Sequence, residues 1–323
     1  MSDFRNRSVL VLGGLGFIGG RLSDRLLTRG AALTIVTPSR ARHVETAAGF
    51  EARGARIIEA DVRDRAAMSA AVAEQDVIFN LSGQSGAVRS MEDPWTDLDV
   101  NCRGNLSLLE ALRAKNRDAK VVFAGSRLEY GHPAALPVTE DFAQEPLCLH
   151  AIHKITVEHY LRLYARLFGI RYTIARLTNP YGPGQPRERT TYGVVNRMIH
   201  LALAGETLPV YGDGSQRRDY IYIDDAVEAL LAVGGSERSD GRAYNVGTGI
   251  GTRLMDMALL IVRCAGGGRI ESVDWPSLAQ QIETGDFIAD IARIGADFGW
   301  QPSVPLEEGL QRTVAFYRVH VGS

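Results

Sequence analysis

The chain has 323 residues, of which 45% are hydrophobic and 23% are charged, and its formal net charge is -2. These values are typical of a soluble globular protein with room for one large or two moderate domains. The near-neutral charge gives no electrostatic indication of a nucleic-acid or anionic-membrane partner. No apolar segment reaches the roughly 18 residues that a membrane span needs.

The N-terminal segment and the cysteines indicate the cellular compartment. MSDFRNRSVLVLGG is too short and too polar before its first strand to be a secretion signal. Cys102, Cys148 and Cys264 lie far apart and form no C-x-x-C pair, which predicts neither a disulfide nor a zinc site. We therefore expect a cytoplasmic protein without a metal centre.

Apolar, β-branched segments alternate with helical patterns through the first half of the chain. The predicted strands are SVLVLGG, ALTIVT, ARIIEADV, DVIFNLSG, KVVFAGS and RYTIARLT. Helices are predicted at FIGGRLSDRLLTRG, around LDVNCRGNLSLLEALRAKN, and over residues 150–168. This alternation predicts an α/β fold with a doubly wound parallel sheet, whose ligands bind beyond the carboxyl ends of the strands.

The composition changes after Asn179. The segment NPYGPGQPRERTTYG is rich in glycine, proline and charge, which predicts a long loop, and the later segments are short and mixed. We therefore expect an N-terminal domain over residues 1–178 and a smaller α/β domain mainly over residues 179–323. Segments of the second region can cross back into the first.

A glycine-rich turn follows the first predicted strand. In VLGGLGFIGG, the spacing Gly14-x-Gly16-x-x-Gly19 lets the backbone turn tightly and approach a pyrophosphate. The positive end of the helix dipole would then stabilise the phosphates. Because a strand precedes the glycines and a helix follows them, the motif predicts a Rossmann-type dinucleotide site.

The end of the second strand bears on the choice of dinucleotide. An NAD site usually has a carboxylate there, but this strand ends in the letters TPSR. Arg40 and Arg42 could pair with a 2′-phosphate, or both could lie on a solvated loop. NAD and NADP therefore both stay open, with a slight preference for NADP. Asp61, at the end of the third strand, is predicted to lie near the adenine.

Further segments follow in an order that one known family shares. They are FNLSGQ, DVNCRGNLSLLEA, VVFAGSRLEYG, LTNPYGPGQ, VYGDGSQRRDYIYIDD, YNVGTG and ETGDFIAD. Over nearly its whole length, the chain resembles an extended short-chain dehydrogenase/reductase of the nucleotide-sugar epimerase/dehydratase type. The resemblance implies a Rossmann domain for NAD or NADP and a smaller C-terminal domain that closes over a nucleoside-diphosphate sugar. It also implies a homodimer packed through the helices near 97–114 and 150–168.

The resemblance assigns cofactor contacts position by position. Gly13, Gly16 and Gly19 would hold the pyrophosphate, and Lys154 would bind the nicotinamide ribose. With Arg40 and Asp61, the remaining predicted cofactor contacts are Phe17, Ile18, Val62, Leu81, Gly83 and Asn101.

Substrate contacts follow in the same way. Ser126 would hydrogen-bond the reacting oxygen, Asn179 and Arg218 would contact the diphosphate, and Tyr211 would line the substrate side. The alternative for Arg218 is an ion pair with a neighbouring aspartate, either Asp213 or Asp219.

The segment PLCLHAIHKITVEHY departs from the family at its acid/base position. The family pattern is Tyr-x-x-x-Lys, whereas His150 stands four residues before Lys154, on the same helix face. A histidine has a pKa of about 6.5 and exchanges protons near neutral pH without the help that a tyrosine needs. We therefore predict that His150 is the acid/base. The alternative is a surface histidine in a binding protein that has lost turnover.

Other acid/base candidates rank below His150. His153 neighbours Lys154 but points about 100° away around the helix. Tyr130, His132 and Tyr192 are substitutes, because the resemblance puts their segments near the cleft.

Two further departures concern the reaction and the nucleotide. Arg127-Leu128 occupies positions where family dehydratases have Asp-Glu and decarboxylases keep the Glu, which disfavours dehydration and decarboxylation. Glu283 stands where related enzymes often have an arginine, and a carboxylate there would repel phosphates. Either that contact is lost, or a loop arginine replaces it, Arg187 or Arg189.

These observations predict an NAD(P)-dependent nucleotide-sugar epimerase that acts through a transient keto-sugar. Ser126 would bind the reacting oxygen, His150 would move the proton, and Lys154 would orient the cofactor. An NADPH-dependent keto-sugar reductase and a catalytically silent nucleotide-sugar binding protein are the alternatives.

Overall fold

The computed structural model describes residues 3–185 and 193–320 of the chain. Its strands are β1 (Ser8–Leu12), β2 (Ala32–Thr37), β3 (Arg56–Glu59), β4 (Val77–Asn80), β5 (Lys120–Ser126), β6 (Arg171–Leu177), β7 (Asn179–Tyr181), β8 (Thr207–Tyr211), β9 (Arg217–Tyr222), β10 (Arg242–Val246), β11 (Gly251–Arg253) and β12 (Arg269–Val273). The six strands predicted from the sequence correspond to β1–β6.

The helices within the described residues alternate with these strands. They are α1 (Phe17–Thr28), α2 (Val44–Ala52), α3 (Arg65–Ala71), α4 (Ala87–Glu92), α5 (Pro94–Leu98), α6 (Gly104–Lys115), α7 (Leu149–Phe168), α8 (Val194–Leu203), α9 (Ile223–Gly234), α10 (Leu254–Ala265), α11 (Ser277–Gln281), α12 (Ala292–Phe298) and α13 (Leu306–His320). A π-helical segment, Asp99–Arg103, joins α5 to α6. No helix of the described part combines the length and the hydropathy that crossing a membrane requires.

A seven-stranded sheet in the order β10-β6-β5-β4-β1-β2-β3 forms the centre of the molecule. Its neighbouring strands pair in parallel. Nearly all apolar residues of β1, β2, β4, β5 and β6 are buried because helices cover both faces of a parallel sheet. The predicted Rossmann-type fold is therefore confirmed.

The later part of the chain adds two small sheets and returns to the large one. One sheet has the order β11-β9-β7, and the other pairs β12 with β8. Strand β10 lies beside β6 at the edge of the seven-stranded sheet, although it follows the predicted domain boundary. The boundary after residue 178 stays a prediction, and the sheet itself extends across it.

One hydrophobic cluster links the two regions. It contains Leu22 and Val122 from the first region together with Ile199, Val227 and Leu310 from the second. These side chains are all buried. The apolar face of α9 thus packs into the same core as the large sheet.

Candidate functional site

A cleft of about 1150 Å³ lies at the carboxyl ends of the parallel strands. Its lining includes residues that follow or end β1 to β6, as expected for the ligand-binding edge of this kind of sheet. The later region closes the other side through β8, β9 and the segment after α11.

Most of the predicted site residues lie together in this cleft. Those that line it are Gly13, Gly16, Phe17, Ile18, Gly19, Asp61, Val62, Leu81, Gly83, Ser126, His150, Lys154, Asn179, Tyr211 and Arg218. Arg40 and Asn101 are the predicted residues that do not line it, and each has a physical reason.

Each glycine of the turn after β1 occupies a position where a side chain would be unfavourable or would enter the cleft. Gly13 has a φ of +79°, a conformation that favours glycine. A Cβ at Gly19 would clash with the carbonyl oxygen of Gly13, so the first turn of α1 packs directly against the loop. Gly16 has only that oxygen nearby, 3.2 Å from an added Cβ, and otherwise faces the cleft.

Arg40 turns away from the cleft. Its guanidinium pairs with the Glu51 carboxylate of α2 at 2.6 Å, and its backbone N–H donates to Glu59 Oε1 at 3.2 Å. The Glu51 charge holds the side chain on the outer surface, and a contact of Arg40 with the cofactor stays a prediction. Arg42 lines the cleft instead.

Asn101 lies behind the cleft rather than in it. It is buried in the π-helical segment, and its Nδ2 donates to the carbonyl oxygen of Gln84 at 3.1 Å. A Cβ at Gly83 would clash with Asn101 Oδ1. Asn101 therefore supports the loop after β4 that carries Gly83, and its direct contact with the cofactor stays a prediction.

Lys154 is enclosed between the helix α7 and the end of β5. Its Nζ donates to the carbonyl oxygen of Ala124 at 2.8 Å and lies 4.7 Å from the centre of the Phe123 ring. Burial lowers the pKa of Lys154 to about 8, against the opposing effect of the Glu129 and Asp97 carboxylates. Near neutral pH the side chain therefore remains mainly protonated.

Ser126 ends β5 and starts a short helical turn. Its Oγ accepts the backbone N–H of Leu128 at 3.2 Å, and its own backbone N–H donates to Glu129 Oε1 at 2.7 Å. This reciprocal cap fixes the serine at the cleft wall.

The carboxylate of Glu129 is directed away from the cleft. Glu129 is buried, accepts a hydrogen bond from Gln144 Nε2 at 2.9 Å, and lies 3.3 Å from Arg176. Burial, together with the charge of Glu158, raises the pKa of Glu129 well above its usual range. Leu128 lines the cleft beside Ser126 instead.

His150 lines the cleft on the same helix as Lys154. Its Nδ1 lies 3.8 Å from Asp97 Oδ2, and the adjacent His153 has its Nδ1 2.6 Å from Asp97 Oδ1. Burial lowers the pKa of His150; the Lys154 charge adds to that effect, while Asp97 opposes it. No sequence pattern indicated Asp97, which lies 56 positions before His153 along the chain.

Arg127 extends into the substrate side of the cleft. Its Nε donates to Asn179 Oδ1 at 3.0 Å, and its Nη1 donates to Thr284 Oγ1 at 2.8 Å. Desolvation, followed by the nearby charge of Arg218, lowers the pKa of Arg127 to about 9. The sequence interpretation treated this residue only as a missing acid, and the structure identifies it as a cation of the cleft.

Arg218 pairs with neither of the aspartates that the sequence suggested. Its Nη2 donates to Glu283, and its Nη1 donates to the carbonyl oxygens of Gly285 and Arg217. Asp219 instead accepts the backbone N–H of Thr248 at 2.7 Å. Glu283, which the sequence suggested would only repel phosphates, therefore neutralises Arg218, the predicted phosphate-binding arginine.

Two of the substitute acids, Tyr130 and His132, do not line the cleft. Tyr130 is buried; its hydroxyl donates to Asn245 Oδ1 at 2.7 Å and accepts from Arg176, and burial raises its pKa. His132 is absent from the lining of the cleft within the described residues. Tyr192, Arg187 and Arg189 lie outside the described residues.

Trp275 is a further cleft residue that the sequence interpretation missed. Its ring centre lies 5.0 Å from that of Tyr211, and both rings line the cleft. The pair forms an aromatic wall beside Arg218. A tryptophan in a loop of mixed composition carries no sequence signal for such a contact.

Known proteins resemble the chain over most of its length. The model of the NAD dependent epimerase/dehydratase family matches residues 9–247. A UDP-glucose 4-epimerase of Mycolicibacterium smegmatis is 34% identical over 315 residues, which cover 96% of this chain and 98% of that protein. UDP-glucuronic acid decarboxylase 1 of Xenopus tropicalis is 30% identical over 332 residues, covering 98% of this chain and 74% of that protein.

A solved structure with similar architecture contains a sugar nucleotide. It is a UDP-glucose 4-epimerase of Thermotoga maritima with UDP-glucose. The two structures have a TM-score of 0.88 and 30% sequence identity, and the match covers 97% of this chain and 99% of that chain.

Proposed function

Because the chain belongs to the NAD-dependent epimerase/dehydratase family, we propose that it is an NAD(P)-dependent epimerase of nucleotide sugars. It acts through a transient keto-sugar. The observation that carries the proposal is the meeting of Ser126, His150 and Lys154 in one cleft with the glycine turn after β1. The similarity to two UDP-glucose 4-epimerases supports the same reaction.

The residues of the cleft fit a dinucleotide. Gly16 leaves the backbone open at the N-terminus of α1, where phosphates are stabilised, and Gly19 lets that helix pack closely against the turn. Lys154 presents a buried ammonium group at the end of β5, which suits a nicotinamide ribose. When bound, the nicotinamide supplies hydride acceptance and return.

The chain's own residues supply proton transfer and orientation. Ser126 Oγ hydrogen-bonds the reacting sugar oxygen, and His150 takes the proton of that hydroxyl as the keto-sugar forms. His150 returns the proton when the carbonyl is reduced from the other face of the sugar. The positive charge of Lys154 favours the neutral form of His150, which is the form that accepts a proton.

Three residues form the proposed diphosphate site. Asn179 and Arg127 are hydrogen-bonded to each other, and Arg218 lines the same cleft. Guanidinium groups suit phosphate oxygens because their donors form a fixed fork. Within the described residues, no carboxylate lies within ion-pair distance of Arg127, so its charge remains available to an anionic ligand.

The same geometry supports epimerisation over the other reactions of the family. Dehydration and decarboxylation would use acidic groups beside the serine, where Leu128 contacts the cleft. The nearby carboxylate of Glu129 is buried against Arg176 and Gln144. Because the chain is also similar to a decarboxylase, an assay of the product distinguishes epimerisation from decarboxylation.

We also infer a homodimer. Exposed apolar side chains lie on the helices that the family resemblance implicates: Trp95 (76% exposed) and Leu98 on α5, and Ile152 and Leu163 on α7. Burying such side chains against a second copy would stabilise the pair. Light scattering of the parent and of a Trp95→Glu variant measures the mass, and a monomeric parent would contradict this inference.

The decisive experiment measures the product and the cofactor together. UDP-sugars are incubated with the protein and catalytic NAD+ or NADP+, and proton NMR follows the appearance of the epimer. An epimerase produces it without net change in reduced cofactor, a reductase consumes NADPH stoichiometrically, and a binding protein does neither.

His150→Phe should lower turnover by roughly 10²–10⁴-fold, as expected for lost proton transfer. His159→Phe, on an exposed position of the same helix, is the matched control.

A further inference from the structure

The carboxylate of Asp97 lies behind His150, and Asp97 is fully buried. It is held by α5, whereas both histidines that face it are on α7. Its Oδ1 is 2.6 Å from His153 Nδ1, and its Oδ2 is 3.8 Å from His150 Nδ1. Oδ1 therefore contacts His153, while Oδ2 faces His150, the histidine that lines the cleft.

The facing atoms have no hydrogen-bond partner among the described residues. Their separation of 3.8 Å is longer than a hydrogen bond. Leaving two buried polar atoms unpaired is costly, and native proteins rarely do so. A small rotation of the His150 ring that brings the atoms about 1 Å closer would satisfy both.

We propose that Asp97 is a positioning residue for His150: its Oδ2 accepts the Nδ1–H of the imidazole, which leaves Nε2 toward the reacting sugar oxygen. The inference rests on the proposed function, because it assigns a partner to the proposed acid/base. His153 holds Oδ1 and keeps the carboxylate in place.

The chemistry of imidazole gives the reason for such a partner. A phenol accepts and donates a proton through one oxygen, whereas a neutral imidazole has one donor nitrogen and one acceptor nitrogen. Only the tautomer with the proton on Nδ1 presents an acceptor at Nε2. An ionised carboxylate accepts but never donates, so Asp97 selects that tautomer and stabilises the imidazolium that forms next.

Several groups around His150 act on its charge. Burial lowers the pKa of His150 most, and the Lys154 charge on the same helix adds to this effect, whereas Asp97 on α5 and the backbone of Gln84 raise the pKa. His153, also on this helix, contacts Asp97. Cys102 of the π-helical segment and Cys148 before α7 are also near Asp97, and burial raises the pKa of both thiols, that of Cys102 to about 11. Asp97 is therefore the anionic group of this cluster near neutral pH.

The kinetic test compares Asp97→Asn with Asp99→Asn across a pH series. Asp99 is a partly exposed neighbour that pairs with Arg103 outside the cleft. For Asp97→Asn we expect kcat to fall by roughly 10²–10⁴-fold with KM changed less than about threefold. The low-pH limb of kcat should move to lower pH, because loss of the carboxylate lowers the pKa of His150. Asp99→Asn should match the parent.

If Asp97 only held α5 and α7 together, its substitution would lower the melting temperature without changing the pH dependence of kcat. His153→Gln removes the other contact of Asp97 and should lower the melting temperature without moving the low-pH limb. If Asp97→Asn also lowered only the melting temperature, with the limb unmoved, the proposal would be overturned.

A second measurement separates this proposal from the proposed function. Nitrogen NMR of histidine-labelled protein, assigned with His150→Gln, reports which ring nitrogen of His150 carries the proton. We expect the Nδ1–H tautomer in the parent and its loss in Asp97→Asn. An Nε2–H tautomer in the parent would overturn the role of Asp97 whatever the enzyme catalyses. Absence of epimerisation would contradict the proposed function alone.

Discussion

Arg218 and Glu283 are paired within the cleft, so the arginine that the sequence predicts for the diphosphate is already neutralised by a carboxylate. The arginine is buried, and its Nη1 donates to the backbone carbonyl oxygens of Arg217 and Gly285. A diphosphate that binds there must compete with Glu283, which makes this pair a determinant of substrate affinity.

Removing the competing charge should strengthen phosphate binding. In Glu283→Gln, Arg218 keeps a neutral partner and its charge becomes available, so we expect UDP to bind roughly tenfold more tightly, about 1.4 kcal/mol. Calorimetry at low and high salt measures the change, which should shrink as salt screens the charges. Glu271→Gln, on an exposed position of β12, is the control. Weaker binding by Glu283→Gln would instead mean that the carboxylate holds Arg218 in its binding geometry.

Removing the arginine should have the opposite effect. Arg218→Ala deletes a charge-assisted contact and leaves Glu283 facing the phosphates, which should cost about 1.5–3 kcal/mol in UDP-sugar binding. Arg217→Ala is the matched control, because that neighbouring arginine is exposed and pairs with Asp286 at 2.8 Å. Nucleotide sugars should raise the melting temperature of the parent, and free sugars should not. Equal affinities of the two variants would place the diphosphate elsewhere.

The glycine turn gives a test of the cofactor site. A side chain in Gly16→Asp would occupy the phosphate position and oppose its charge, so we expect dinucleotide binding to be lost in a folded protein. Gly20→Asp adds the same charge one turn further along α1, where an added Cβ meets only Gly14 O at 3.9 Å. Circular dichroism checks the fold, and fluorescence titration measures affinity for NAD+ and NADP+. Unchanged affinity in Gly16→Asp would refute the assignment.

The choice between NAD and NADP can be tested at two neighbouring arginines. Because Arg42 lines the cleft, Arg42→Glu should weaken NADP binding more than NAD binding if a 2′-phosphate is recognised there. Arg40→Glu should affect both equally, since Arg40 pairs with Glu51 on the outer surface. Equal effects of Arg42→Glu on both cofactors would indicate that neither arginine contacts a 2′-phosphate.

Glu129 should make stability depend on pH. Its pKa is raised by burial and by Glu158, so the folded protein keeps a proton that the unfolded chain releases. The resulting stabilisation is complete below the ordinary glutamate pKa and is lost as pH rises through the raised value. Glu129→Gln stays neutral, so it should lose less stability than the parent as pH rises above the ordinary glutamate pKa. Urea unfolding measures this, with the exposed Glu74→Gln as control.

Local patterns predicted the sheet and the cofactor side of the cleft. Each strand from β1 to β6 carries its own apolar run. The glycine spacing by itself predicts the tight turn that follows β1. Residues at the ends of parallel strands must meet at one edge, which is why most predicted contacts line one cleft.

Pairings between distant residues could not be predicted in this way. Arg218 and Glu283 are 65 positions apart, and Asp97 and His153 are 56 apart. The positions of the charged residues are evident in the sequence. Which carboxylate pairs with which partner depends on how α5, α7 and the segment after α11 pack against each other. Arg40 illustrates the same limit, since Glu51 competes with any ligand for its guanidinium.

The position of β10 has a consequence for how the molecule folds during synthesis. Strand β6 is almost entirely buried, and within the described residues one of its edges pairs with β10 alone, which ends at Val246. Lys120 of β5 also binds Ser239 Oγ and Asp240, in the segment just before β10. Until that part of the chain has left the ribosome, β6 presents an apolar edge with unpaired backbone groups. We therefore expect a fragment of residues 1–178 to aggregate, and the two halves to unfold together as one cooperative unit.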